Sequence, residues 1–295
     1  MRVLRPLRRH VSTTPAAFRR LQLPTDTYGD LLSALAPVSV TPAQQPLLCL
    51  PSLFGSVARD FRRQLADQQL ARSWALYGLD LRLATADQDS RWGRRGIERD
   101  AEDVMRAADA LELETFSLLG ASHGANVSAV VAAKYPERVA RLVLVNGNAF
   151  VSDEDLEDLE EHSDVQSWDR EMRETAEQKC GADDVQEKWT HMVEALRQVE
   201  RDDGGDLYCG HLPHIKCKTL VVGGGQDKFV PLFHSEYLSE RIMHSRLEIV
   251  PEGGNDLVLS KAEDFNKLLE TFLQEPDDKH TQSREFVAVP SKMAT

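Results

Sequence analysis

The pentad Gly120-Ala121-Ser122-His123-Gly124 has the G-x-S-x-G spacing of a nucleophilic serine on a tight turn. It closes an apolar run, "TFSLLGAS", and opens a small-residue helical pattern, "NVSAVVAAKYPERV". A serine on such a strand-to-helix turn is lifted above a sheet. The backbone N–H of the next residue, here His123, then lies at a helix N-terminus and can stabilise an oxyanion. A second oxyanion donor belongs to the loop after an earlier buried strand. "LPSLFGS" (50–56) fills that loop, with the N–H of Leu53 as the candidate. The chemistry implied is acyl transfer to Ser122, which needs an acid and a base. The acid should follow a later strand, and Asp227 ends "KTLVVGGGQD". The base should follow the last strand, "RLEIVPEG", yet the residues after it, "GNDLVLSKAEDF", hold no histidine.

The elements that must position these groups alternate. Strands are read at 46–52, 73–82, 115–122, 141–147, 218–227 and 246–253, and helices at 57–70, 95–113, 126–139, 232–242 and 262–274. That order specifies an α/β fold, a mostly parallel sheet with helices on both faces. The stretch 148–212 is helical in pattern, dense in Asp and Glu, and set between two strands. It reads as a helical lid over the C-terminal edge of the sheet, where open α/β sheets bind ligands. The core is then 23–147 plus 213–276, and 277–295, which lacks periodicity, reads as a disordered tail.

A net charge of −13 over 295 residues argues against nucleic acid as a partner, because phosphate binding needs clustered cations. No apolar run approaches the ~20 residues of a membrane span. Four cysteines, Cys49, Cys180, Cys209 and Cys217, are too sparse for a disulfide framework, so reduced thiols are expected. Cys209, His211, His214 and Cys217 are zinc-ligand types, but their compact spacing fits no common structural zinc site. No metal or other cofactor is expected. Residues 1 to about 22 are Arg-rich and free of acid, with Ser and Thr, in the manner of a transit peptide. Mitochondrial import is the expectation, with a cytoplasmic location as the alternative.

From about residue 115 to 275 the chain resembles the biphenyl-hydrolase-like proteins, the valacyclovir hydrolases of the α/β-hydrolase superfamily. The resemblance rests on "SLLGASHG", "AAKYPERV", "VSDEDLEDLEEHSDVQSW", "HLPHIKC", "GGGQDKFVPLFHSEYL", "SRLEIVPEGGNDLVL" and "AEDFNKL", so it includes the lid as well as the turn. Before residue 95 it weakens. The N-terminal strand hairpin is not evident in "TYGDLLSALAPVSVTPAQQ", and "LATADQDS" replaces a glycine-rich stretch after "LDLR". The resemblance implies an α/β-hydrolase fold and mitochondrial cleavage of amino-acid esters. It matches Ser122 to the nucleophile and Asp227 to the acid. Two positions depart. The family's substrate-recognising aspartate after the serine is His123 here, and its base histidine falls at Asn255.

An asparagine amide cannot take a proton from serine near neutral pH. Removing the histidine of a comparable serine hydrolase lowers turnover on the order of a millionfold. Among the other histidines, His10 and His280 lie in the tails and His162 and His191 in the lid. His234 is in the helix after Asp227, and His244 precedes the last strand. Three readings follow. The chain is a family member with weak or silent turnover and a lidded pocket for a small-molecule ester or related ligand. Alternatively, it is an active ester hydrolase using activated water or a non-standard base such as His123. A pure scaffold is favoured if side chains fill the space beneath the lid.

Overall fold

A computed structural model describes residues 17–24, 31–81, 94–168 and 170–276. Residues 1–16 of the basic leader, the "LATADQDS" stretch and the 277–295 tail lie outside the described residues. The strands are β1 (Phe18–Pro24), β2 (Leu31–Pro37), β3 (Gln45–Leu50), β4 (Trp74–Leu79), β5 (Phe116–Ala121), β6 (Val139–Val145), β7 (Lys218–Gly224) and β8 (Ser245–Val250). They form one sheet in the order β1-β2-β4-β3-β5-β6-β7-β8, antiparallel at the first two pairings and parallel from β4 to β8.

Parallel strands buried on both faces read as continuous apolar runs, and side chains alternate between the two faces. Leu48, Leu50, Leu118, Leu142, Leu144 and Val221 join one core cluster, while Leu47, Cys49, Leu119, Val143, Val145, Leu220 and Val222 join the other. The helices are α1 (Val57–Asp60), α2 (Arg62–Leu65), α3 (Leu70–Ser73), α4 (Arg94–Ala110), α5 (His123–Lys134), α6 (Asp153–Glu161), α7 (Arg170–Cys180), α8 (Val185–Asp203), α9 (Leu232–Arg241), α10 (Leu257–Ser260) and α11 (Ala262–Leu273). Helices α4, α5 and α9 cover the first face, and α1, α2 and α11 the second.

Two expectations need correction. The N-terminal hairpin exists: β1 and β2 pair antiparallel from Phe18↔Pro37 to Pro24↔Leu31. Residues 18–22, grouped with the leader on composition, therefore belong to the sheet. The helix expected over 57–70 is broken into one-turn pieces. Asp60 is turned inward onto Ser52, and the Asp67 carboxylate accepts the N–H groups of Gln69 and Leu70 in a turn.

The lid helices α6, α7 and α8 are inserted between neighbouring strands β6 and β7. Val165, Trp168, Trp189, Met192 and Val193 give this insertion a core of its own. Its two ends are clasped together. Val151 N–H donates to Gly205 O at 2.9 Å, Leu207 N–H donates to Ala149 O at 3.0 Å, and Phe150 bridges Asp206. Gly205 has φ +78°, and a Cβ there would lie 2.0 Å from the Val151 carbonyl oxygen, so the clasp needs glycine. Among the described residues, no helix is long and apolar enough to cross a membrane.

Candidate functional site

Strand β5 ends at Ala121 and α5 begins at His123, leaving Ser122 alone on the turn with φ 51° and ψ −119°. A non-glycine residue in this region stores about 1–3 kcal/mol of strain and persists only where its surroundings fix it. Here Ser122 N–H donates to Val145 O of β6 at 2.8 Å. The flanking glycines have steric reasons. A Cβ at Gly120 would lie 2.2 Å from the Gly124 carbonyl oxygen, and one at Gly124 would lie 2.1 Å from that of Leu50. The turn can form only because strand and helix backbones touch.

Ser122, His123, Leu53 and Asn255 line one cavity of about 430 Å³. Its roof comes from the lid through Leu159, Trp168, Met172, Trp189 and Met192. Side chains do not fill the space, so the condition favouring a pure scaffold is not met. The loop bearing Leu53 is held by Asp60, whose Oδ2 accepts Ser52 N–H at 2.9 Å and Ser52 Oγ–H at 2.7 Å.

Asp227 lies behind Asn255. The Asn255 Nδ2–H donates to Asp227 Oδ2 at 3.2 Å, while Asp227 Oδ1 accepts N–H from Phe229 at 2.9 Å and Val230 at 3.1 Å. Burial pushes the Asp227 carboxyl up to about 6, and these three hydrogen bonds only partly oppose it. Asn255 thus sets an amide, which carries no basic nitrogen, between the buried Asp227 and the cavity it lines. The Asn255 loop is anchored by Asn146, which also has a positive φ of 49°. Its Nδ2–H donates to Gly254 O at 3.0 Å, and its Oδ1 accepts Gly224 N–H at 2.8 Å.

The His123 ring reaches α4, where its Nε2 lies 3.0 Å from Oδ2 of the fully buried Asp100. His234 is closed off by a different carboxylate. Its Nε2 sits 2.8 Å from Asp155 Oδ1, and its ring packs between Phe150 and Phe233, with centroids at 4.7 and 4.2 Å. Asp155 Oδ2 accepts the N–H and Oγ–H of Ser152, and Ser152 Oγ accepts Asp155 N–H at 3.2 Å, completing the capping box of α6. Burial raises the Asp155 carboxyl, and His234 together with Ser152 outweighs it, so the group rests below the ordinary carboxylate value. Asp100, Asn146 and Asp155 are site residues that motif spacing does not reveal.

The cysteine–histidine segment does not converge. Cys209 Sγ–H donates to Ala149 O at 3.3 Å, His211 Nε2 faces Glu98 at 3.7 Å, and Cys217 is a free thiol pushed up to about 12 by burial. Among the described residues, no three His, Cys, Asp or Glu side chains gather into a metal-ligand group.

Residues 45–199 match the family described as the alpha/beta hydrolase fold. The chain is 34% identical over 236 residues to serine hydrolase BPHL of Mus musculus, covering 78% of this chain and 80% of the relative. It is 28% identical over 208 residues to a 2-hydroxymuconate semialdehyde hydrolase of Pseudomonas putida, covering 64% of this chain and 73% of that protein. Among solved structures, the 2-hydroxy-6-oxo-6-phenylhexa-2,4-dienoate hydrolase of Rhodococcus sp. strain RHA1 superposes with a TM-score of 0.66 at 18% identity. That superposition covers 88% of this chain and 99% of the other, and is a likeness of fold.

Proposed function

Because the chain belongs to the α/β-hydrolase fold family, among the relatives of the BPHL serine hydrolases, we propose that it binds a small carboxylic ester or related ligand beneath its lid. We further propose that it turns that ligand over only weakly through Ser122. The observation that carries this reading is the 3.2 Å contact between Asn255 and Asp227. The strained Ser122 turn and the buried Asp227 support a serine route, and the amide of Asn255 beside that acid, which cannot accept a serine proton, supports its weakness. The open cavity supports ligand binding. His123 in place of a carboxylate weakens any preference for an ester bearing an ammonium group.

The test combines a fluorophosphonate probe with aryl-ester turnover on the full chain, Ser122→Ala and Asn255→His. Asn255→His should raise turnover by at least about 100-fold, the usual contribution of a positioned base. Adding Ser122→Ala should then abolish the gain. Robust wild-type turnover that vanishes in Ser122→Ala would sink the proposal. The Arg-rich leader supports mitochondrial import, tested by fusing residues 1–17 to a fluorescent protein; diffuse fluorescence would refute it.

A further inference from the structure

His123 and Asp100 form an acid–imidazole pair that the serine motif does not account for. Asp100 is fully buried on α4, and its Oδ2 is 3.0 Å from His123 Nε2. Its other oxygen, Oδ1, is buried without a hydrogen-bond partner among the described residues. A buried polar oxygen without a partner is costly and calls for an explanation. The carboxylate fixes the ring, because a nitrogen facing it must carry the proton. In the neutral ring, Nδ1 is therefore the basic nitrogen. It has no hydrogen-bond partner among the described residues and is not sealed from solvent, and His123 lines the cavity. Nδ1 belongs to the same residue as one oxyanion N–H, so covalent geometry holds base and oxyanion donor within a few ångströms of each other.

We propose that Asp100–His123 activates a water molecule for direct attack on a bound ester, giving hydrolysis in which Ser122 is not the nucleophile. This rests on the reading that the serine route lacks its base. The water oxygen bonds to the carbonyl carbon while its proton passes to His123 Nδ1. The oxyanion is held by the N–H groups of Leu53 and His123. Collapse breaks the bond to the leaving oxygen, which takes the proton back from Nδ1, and acid and alcohol depart with one water consumed. Asp100 accepts from Nε2–H throughout and acts as a positioning residue that stabilises the transient imidazolium.

The experiment measures p-nitrophenyl acetate hydrolysis by the full chain and by His123→Gln, Asp100→Asn and Ser122→Ala. Replacing the base or its positioning residue should lower kcat by at least about 100-fold. Both losses should exceed that of Ser122→Ala by at least about tenfold. Asp100→Asn should leave KM within about twofold. It should also shift the His123 nitrogen resonances away from the Nε2–H tautomer, showing that the carboxylate sets the ring, while a kcat loss at unchanged KM in a folded variant is what a purely structural role would not give. If Asp100→Asn does not fold, His123→Gln against Ser122→Ala still decides. A Ser122→Ala loss equal to or larger than that of His123→Gln overturns the proposal, as does turnover indifferent to His123. The second outcome leaves the weak serine hydrolase reading standing, whereas robust wild-type turnover lost in Ser122→Ala removes that reading too.

Discussion

Two buried carboxylates stand behind residues that line the cavity, and their partners are exchanged relative to what the motif requires. Asp227, where the acid of a triad is expected, faces the amide of Asn255. Asp100, on a helix with no expected catalytic part, faces the imidazole of His123. A third pair, Asp155–His234, joins lid to core, with Asp155 on the cavity wall and His234 only 1% exposed behind it. Each pair joins a buried carboxylate to a nitrogen-bearing side chain, so the pairing itself says little about chemistry. What separates them is whether the partner lines the cavity and carries a basic nitrogen. Asn255 lines it without one, His234 carries one but is not part of the lining, and His123 lines it with a ring nitrogen left unpartnered among the described residues.

The largest expected effect comes from making the first pair resemble the second. In Asn255→His, serine turnover should rise by orders of magnitude, and the Asp100→Asn loss should then shrink to less than about threefold because another base carries the reaction. Steady-state kinetics on the single and double variants checks this. Breaking the third pair tests stability. His234→Ala strips a buried carboxylate of its imidazole, a change worth about 3–5 kcal/mol, read as a lower thermal midpoint. The sign with pH follows from the depressed Asp155 carboxyl. Its contribution is present above the ordinary carboxylate value and fades as pH falls through its folded value, so the variant and wild type should converge in acid.

The smallest effect concerns Asp227. Its carboxyl is raised to about 6, so its contribution is fully present below the ordinary value near 3.8 and is lost as pH rises through about 6. Asp227→Asn should therefore stabilise the protein at pH ~8 by up to about 2–3 kcal/mol and little at pH ~4. Denaturant midpoints at the two pH values decide it, and an equal shift at both would show that ionisation is not the cause.

The parallel core was legible because strands buried on both faces leave unbroken apolar runs such as "PLLCL". The β1–β2 hairpin was not. β1, "FRRLQLP", is an edge strand whose Arg19, Arg20 and Gln22 look like leader rather than sheet. Ser122 and Asp227 were readable because each follows a strand end, a position fixed by topology, whereas Asn255 was reached through the family resemblance. Asp100 was hidden, since its partner lies 23 residues on, in another helix. One signal was available. Ile97, Ala101, Val104 and Ala108 mark the buried stripe of α4, and Asp100 sits on that stripe, a carboxylate where the pattern calls for an apolar side chain.

The clasp formed by Val151 with Gly205 and Ala149 with Leu207 bears on how such a molecule diversifies. It brings the two ends of the lid together at the sheet, so the helices beyond it hang from a closed stem. Closure entropy rises by only about 0.6 kcal/mol for each doubling of loop length. Changes in the length of the lid segments then cost little at the stem while β6 and β7 remain paired. The cavity roof, with its Trp168 and Trp189, is in this sense an adjustable cover. Ligand preference can drift through inheritance in the roof while the floor, with its strained serine, stays as it is.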